Sequence, residues 1–142
     1  MAVSEPAIPE RGPAAFVAEF IGTAALVFFI TMVIVLFISP PQAQGQGLPP
    51  VQPFIDWSVI GLVHIFALFM LIQVFAVISG AHFNPARSFG ASLVGHHWGG
   101  LGHWIVVYAL GPVVGGVLAA VVYFYLFLAP GKKGAVGMEP VG

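Results

Sequence analysis

The chain has 142 residues, 59 % of them hydrophobic and 6 % charged, with a net charge of −1 and no cysteine. Soluble domains carry about 25 % charged residues, so this chain has too few solvated side chains to coat a globule, and the bilayer is its natural solvent. The charge balance offers nothing to a nucleic acid, and the lack of cysteine excludes disulfides, Fe–S clusters and thiolate zinc.

In chain order, residues 1–13 form a polar, proline-bearing tail with Pro6, Pro9 and Pro13. Its acidic excess, with Glu5 and Glu10 against Arg11, is wrong for a signal peptide. Ala14–Ile38 is apolar apart from Glu19 and spans 25 residues, against the roughly 20 that a transmembrane helix needs. Ser39–Asp56, rich in Pro, Gln and Gly, is a solvated loop. Trp57–Ile78 is the second predicted span, with Trp57 at the interface and His64 and Gln73 as its strongly polar members. Trp104–Leu128 is the third, without charge, and Pro112 is positioned to bend it. Residues 129–142 form a C-terminal tail in which Lys132 and Lys133 anchor the last span.

Between the second and third spans, Asn84–Val94 is mostly apolar but only 11 residues long, about 16 Å as a helix and so roughly half the hydrocarbon thickness. Asn84 suits an N-cap, Pro85 the first helical position, and Gly95 a stop. The stretch is predicted to be a re-entrant half-helix, a backbone tolerated at membrane depth only where it lines a cavity or is buried in protein. Its positive end at Asn84-Pro85-Ala86 disfavours cations and hydronium while neutral solutes pass. By itself Asn-Pro is more often an ordinary helix cap in a loop.

The run Ser79-Gly80-Ala81-His82-Phe83-Asn84-Pro85-Ala86-Arg87, followed by Ser88-Phe89-Gly90, resembles the signature of the aquaporin and glycerol-facilitator family. Ala18-Glu19-Phe20-Ile21-Gly22-Thr23 resembles the family's first span, and His103-Trp104 with Gly111-Pro112 its last. The resemblance extends over about residues 14–128. It implies an all-α membrane fold of three transmembrane helices and one re-entrant half-helix, one half of the family's inverted repeat. Family members have six spans and two NPA motifs, whereas three spans and one NPA are read here. Ser79–Ala86 reads like the first-half loop and Arg87–Gly90 like the second-half loop. An in-frame join between the two motifs is the simplest account of that mixture.

The resemblance also assigns roles. Asn84, Pro85 and Ala86 are the pore motif. Arg87 belongs to the selectivity filter, although a snorkelling side chain at the loop edge is the alternative. Glu19 would hold the re-entrant loop through its backbone, or else reach the headgroups from the helix end. Counting back from Asn84 by the family's spacings of 20, 12 and three residues gives His64, Ile72 and Ala81 as further filter positions. His64 is alternatively a solitary intrahelical His bonding a neighbouring helix. The set His64, Ile72, Ala81 and Arg87 resembles the wide filters of plant tonoplast aquaporins.

His64 and Ile72 are eight residues apart, about 12 Å along a helix, so one chain cannot place both in one ring, while two antiparallel copies can. The expected protein is therefore a passive channel for water and small neutral solutes, with ammonia, urea or glycerol among the candidates. Its pore would be completed by an antiparallel homodimer or higher oligomer, or by another aquaporin half. The alternatives are a non-conducting deletion remnant and a half that needs a different subunit. The residues present no catalytic constellation. The histidines 82, 96, 97 and 103 lack companion carboxylates or thiolates and are read as interfacial, with no metal and no cofactor. Gly111 and Gly115 form a GxxxG that suits either internal packing or dimerisation. Flanking cations number one at the N-terminal side and two at the C-terminal side, too small a bias to set one orientation. The expected location is the cell membrane, as a multi-pass integral protein.

Overall fold

The computed structural model describes residues 12–38, 53–96 and 98–128. The tail at 1–11, the loop at 39–52, His97 and the tail with Lys132 and Lys133 lie outside the described residues. The fold is all-α. Helix α1 runs Gly12–Ile38, α2 Pro53–Ser79 and α3 Pro85–Gly95. The third long rod is composite: α4 at Leu101–Trp104, a π-helical segment at Ile105–Leu110, α5 at Gly111–Tyr123 and a second π-helical segment at Phe124–Leu128. Three of these rods, Gly12–Ile34, Trp57–Ser79 and Leu101–Leu126, are long and apolar enough to cross a membrane.

Each long helix begins earlier than its apolar run. Gly12 and Pro13 already belong to α1, Pro53 opens α2 and Leu101 opens the third rod. Proline lacks only an N–H that a first turn leaves unbonded, so Pro13 and Pro53 start helices rather than precede them. At the end of α3, Gly95 is still helical and His96 is the left-handed residue, with φ 49° and ψ 31°. The His96 N–H donates to the Ser92 carbonyl and closes the helix. Gly95 is thus not the stop that the sequence suggests.

Helix α1 is the centre of the molecule, packed by α2 on one side and α5 on the other, while α3 lies against the Ile105–Leu110 segment. The α1–α5 contact is made by backbone. A Cβ on Gly115 would overlap the Phe20 carbonyl oxygen, and one on Gly111 would touch Phe16 and Glu19 at 3.5 Å. The GxxxG pair therefore turns inward, where small residues let backbones approach. Ala15, Trp104, Val107 and Tyr108 form a buried cluster beside it. Pro112 sits in the first turn of α5, directly after the π-helical segment. There the Gly111 N–H reaches the Val106 carbonyl, five residues back, so the ladder widens just before the residue that cannot donate. The residues of Ile105–Leu110 carry no sign of this in their composition.

Candidate functional site

The site is built on the five residues that join α2 to α3. Gly80, Ala81 and Phe83 have φ of 87°, 50° and 53°. Two of these carry side chains in a region that costs an L-residue about 1–2 kcal/mol, so the loop needs external ties. Glu19 supplies them. Its side chain is 0 % exposed. Its Oε1 accepts from the Ser79 hydroxyl at 2.7 Å and the His82 N–H at 2.8 Å, and its Oε2 accepts from the Phe83 N–H. The Ser79 Oγ in turn accepts from the Ala81 N–H at 3.1 Å. A single buried carboxyl group thus satisfies three donors, one at the end of α2 and two in the loop, 60 or more residues away, each a bond of about 1.5–3 kcal/mol when the carboxyl is charged.

The third rod closes the other side. Tyr108 is fully buried and its hydroxyl donates to the Ser79 carbonyl at 2.8 Å. The Trp104 indole N–H donates to the Ser92 Oγ at 2.9 Å, on α3. Neither pairing is readable from sequence; the only cue is that a buried Tyr hydroxyl or Trp N–H needs a partner. Phe83 lies over Gly22 of α1, where a Cβ would collide with its ring. Glycine is required there for close approach, not for backbone freedom.

At the start of α3, Asn84 is extended (φ −157°, ψ 117°), and its Oδ1 accepts from the Ala86 N–H at 2.8 Å and the Arg87 N–H at 3.2 Å. The cap uses the amide oxygen, so the two N–H donors of this exposed side chain are left pointing away from the helix. Ser88 donates its single hydroxyl proton to the Asn84 carbonyl at 3.0 Å. The 2.8 Å contact between Ser88 Oγ and His82 Nδ1 therefore has His82 as donor, which assigns the proton to Nδ1. Pro85 holds the first helical position and Ala86 is exposed beside it.

The remaining sequence-named residues are distributed unequally. Arg87 is exposed, and its Nη1 donates to the Ala81 carbonyl at 2.7 Å. Ala81 itself is 0 % exposed, so what it brings to Arg87 is its carbonyl oxygen rather than its side chain. Ile72 is half-buried and His64 exposed on α2; the Arg87 side chain bonds to the Ala81 carbonyl and to neither of them. A cavity of about 450 Å³ lies between the first turn of α1 and the start of the third rod, lined by residues such as Phe16, Val17, His103 and Val107. It is apolar, and none of His64, Asn84 or Arg87 lines it. The exposed side chains of Asn84 and Arg87 instead form an open wall at the surface.

Comparison with known proteins agrees with this architecture. The sequence model described as "Major intrinsic protein" matches residues 11–86 and again 83–123, so Phe83–Ala86 is matched twice. The chain is 33 % identical to "Aquaporin TIP4-4" of Zea mays over 144 residues, covering 99 % of this chain and 49 % of that one. It is 32 % identical to "Aquaporin AqpM" of Methanothermobacter marburgensis over 114 residues, covering 79 % and 40 % respectively. With "Aquaporin-4" of Rattus norvegicus it shares 33 % over 102 residues, covering 72 % and 28 %. The chain spans about half or less of the length of these relatives. No solved structure matches it. The matched residues, the three membrane-crossing rods and the short helix opened by Asn84-Pro85-Ala86 together establish that this integral membrane chain belongs to the major intrinsic protein family.

Proposed function

We propose that the chain is one half of a passive channel for water and small neutral solutes, and that a second, antiparallel copy completes the pore. The observation that carries this reading is the junction at Asn84: a helix N-terminus, two free amide donors and the Arg87 guanidinium share one exposed surface on a chain built for hydrocarbon. Such groups are costly against lipid and are tolerated where they line water. Asn84, Pro85 and Ala86 form the midpoint of the pore. Arg87, with the Ala81 carbonyl, Ile72 and the partner's copy of the His64 position, forms the filter. Glu19 holds the loop that presents them. The membrane is that of the cell.

A second reading is that a different chain supplies the other half of the pore, which the match to about half of "Aquaporin TIP4-4" equally permits. The double match over Phe83–Ala86 supports an origin in which two motifs were joined into one.

Stopped-flow swelling of proteoliposomes holding only this chain separates the readings. Homodimeric pores raise water permeability well above empty vesicles, and Arg87→Trp abolishes the increase. Permeability equal to that of empty vesicles, with the chain folded, leaves the homodimer untenable and favours a different partner.

A further inference from the structure

The cavity beside the first turn of α1 plays no part in the pore reading. It holds about 450 Å³, within the roughly 300–1,000 Å³ of small-ligand pockets. Pro13, Gly102 and His103 line one end, and Phe16, Val17 and Val106 line it one helical turn further along, about 5 Å deeper. Both rods start here, because the membrane-crossing stretches begin at Gly12 and Leu101. The first end therefore stands at the edge of the hydrocarbon and the second inside it. Val17 and Val106 are 48 % and 46 % exposed, so the cavity opens to the outside of the chain.

Two residues are unexplained by the chain's own packing. Gly102 is helical, where glycine weakens a helix, yet a Cβ on it would meet nothing within 4 Å. His103 is the one polar side chain among the described residues that line the cavity. Its Nε2 is buried and has no hydrogen-bond partner among the described residues, a costly state for a polar atom. The His103 ring packs edge-on against the buried Tyr108, with centroids 6.4 Å apart. An occupant must therefore be apolar along most of its length, carry one hydrogen-bonding group at the hydrocarbon edge, and arrive from the bilayer. A phospholipid has this form, since its ester carbonyls stand at the boundary between headgroups and acyl chains and only accept. We infer that the cavity is a lipid site. One acyl chain of a phospholipid lies along Phe16, Val17 and Val106, and its ester carbonyl accepts a hydrogen bond from His103 Nε2. The pairing requires the ring proton on Nε2. Through His103 the bound lipid backs Tyr108, whose hydroxyl holds the Ser79 carbonyl. None of this depends on the chain forming a pore.

Native mass spectrometry of the full-length chain, released into detergent from phosphatidylcholine vesicles, counts the lipid that stays bound. One phospholipid per chain is expected. Gly102→Leu fills the cavity without meeting the chain's own atoms at its Cβ and is expected to abolish retention. Val17→Phe, a second filling variant on the other wall, is expected to do the same. His103→Phe keeps a ring and removes the nitrogen, and is expected to bind about tenfold more weakly, as for the loss of one hydrogen bond. Ether-linked phosphatidylcholine of equal chain length lacks the carbonyl. The unsubstituted chain is expected to hold it about tenfold more weakly than the ester lipid, whereas His103→Phe holds the two alike. That last equality separates a bond to His103 from a merely structural role of its ring. No lipid on the unsubstituted chain, as when a second copy of the chain fills the cavity, overturns the inference. So does undiminished retention in folded Gly102→Leu and Val17→Phe, or equal retention of ester and ether lipids by the unsubstituted chain.

Discussion

The loop junction and the outer length of α2 treat their polar groups in opposite ways. At the junction, Glu19, Ser79, His82, Ser88 and Tyr108 close a network inside the chain, with bonds of 2.7–3.0 Å among the side chains and to the loop. On α2, His64 and Gln73 are exposed on opposite sides of a helix whose 18-residue apolar stretch is 6 % buried, against 28 % and 33 % for the other two spans. In water the second arrangement is unremarkable. In a bilayer, satisfied polar groups hold a chain's own shape, and unsatisfied ones mark where another surface must come. The junction is the part this chain completes alone, and α2 with the exposed edge of α3 is the part it leaves to others.

Substitutions inside the junction should therefore unfold the half, and substitutions outside it should change flux or assembly while stability holds. The largest expected effect is Glu19→Ala. It leaves the part-buried N–H of His82 and the buried N–H of Phe83 unpaired, at about 1–3 kcal/mol each, and thermal unfolding in detergent should show the loss of most of the stability. A small effect there would break the comparison. Gly115→Leu comes next, because even its Cβ meets the Phe20 carbonyl; about 1–3 kcal/mol of overpacking is expected by the same measurement. Tyr108→Phe removes only the bond to the Ser79 carbonyl, about 1 kcal/mol, and should lower the melting temperature by a few degrees, more visibly than it lowers flux. Asn84→Asp sharpens the comparison most. It keeps the capping oxygen and loses the outward donors, so stability should stay within about 0.5 kcal/mol while water flux falls several-fold.

The long elements were legible because a bilayer demands runs of fixed length, and the short helix because Asn84-Pro85 is an N-terminal signal whose geometry is local. What sequence concealed was set by contacts. The π-helical turn at Ile105–Leu110 runs directly into Gly111 and Pro112, and the propensities of Ile, Val or Tyr do not announce it. The left-handed His96 displaces the stop from Gly95 because closure needs the next N–H to reach Ser92. Tyr108 finds Ser79 from 29 residues away, a distance over which no periodicity speaks. Ala81 is legible as a position but not as a group, since only the folded loop turns its carbonyl towards Arg87.

The central claim is that the open wall at Asn84 and Arg87 is closed by the same chain inserted the other way up. Its most direct test is the orientation of the C-terminus in cells, read with a reporter active on one side of the membrane only and a second active on the other. Antiparallel pairing requires both reporters to register in comparable amounts from one expressed chain. Activity confined to a single side would contradict it.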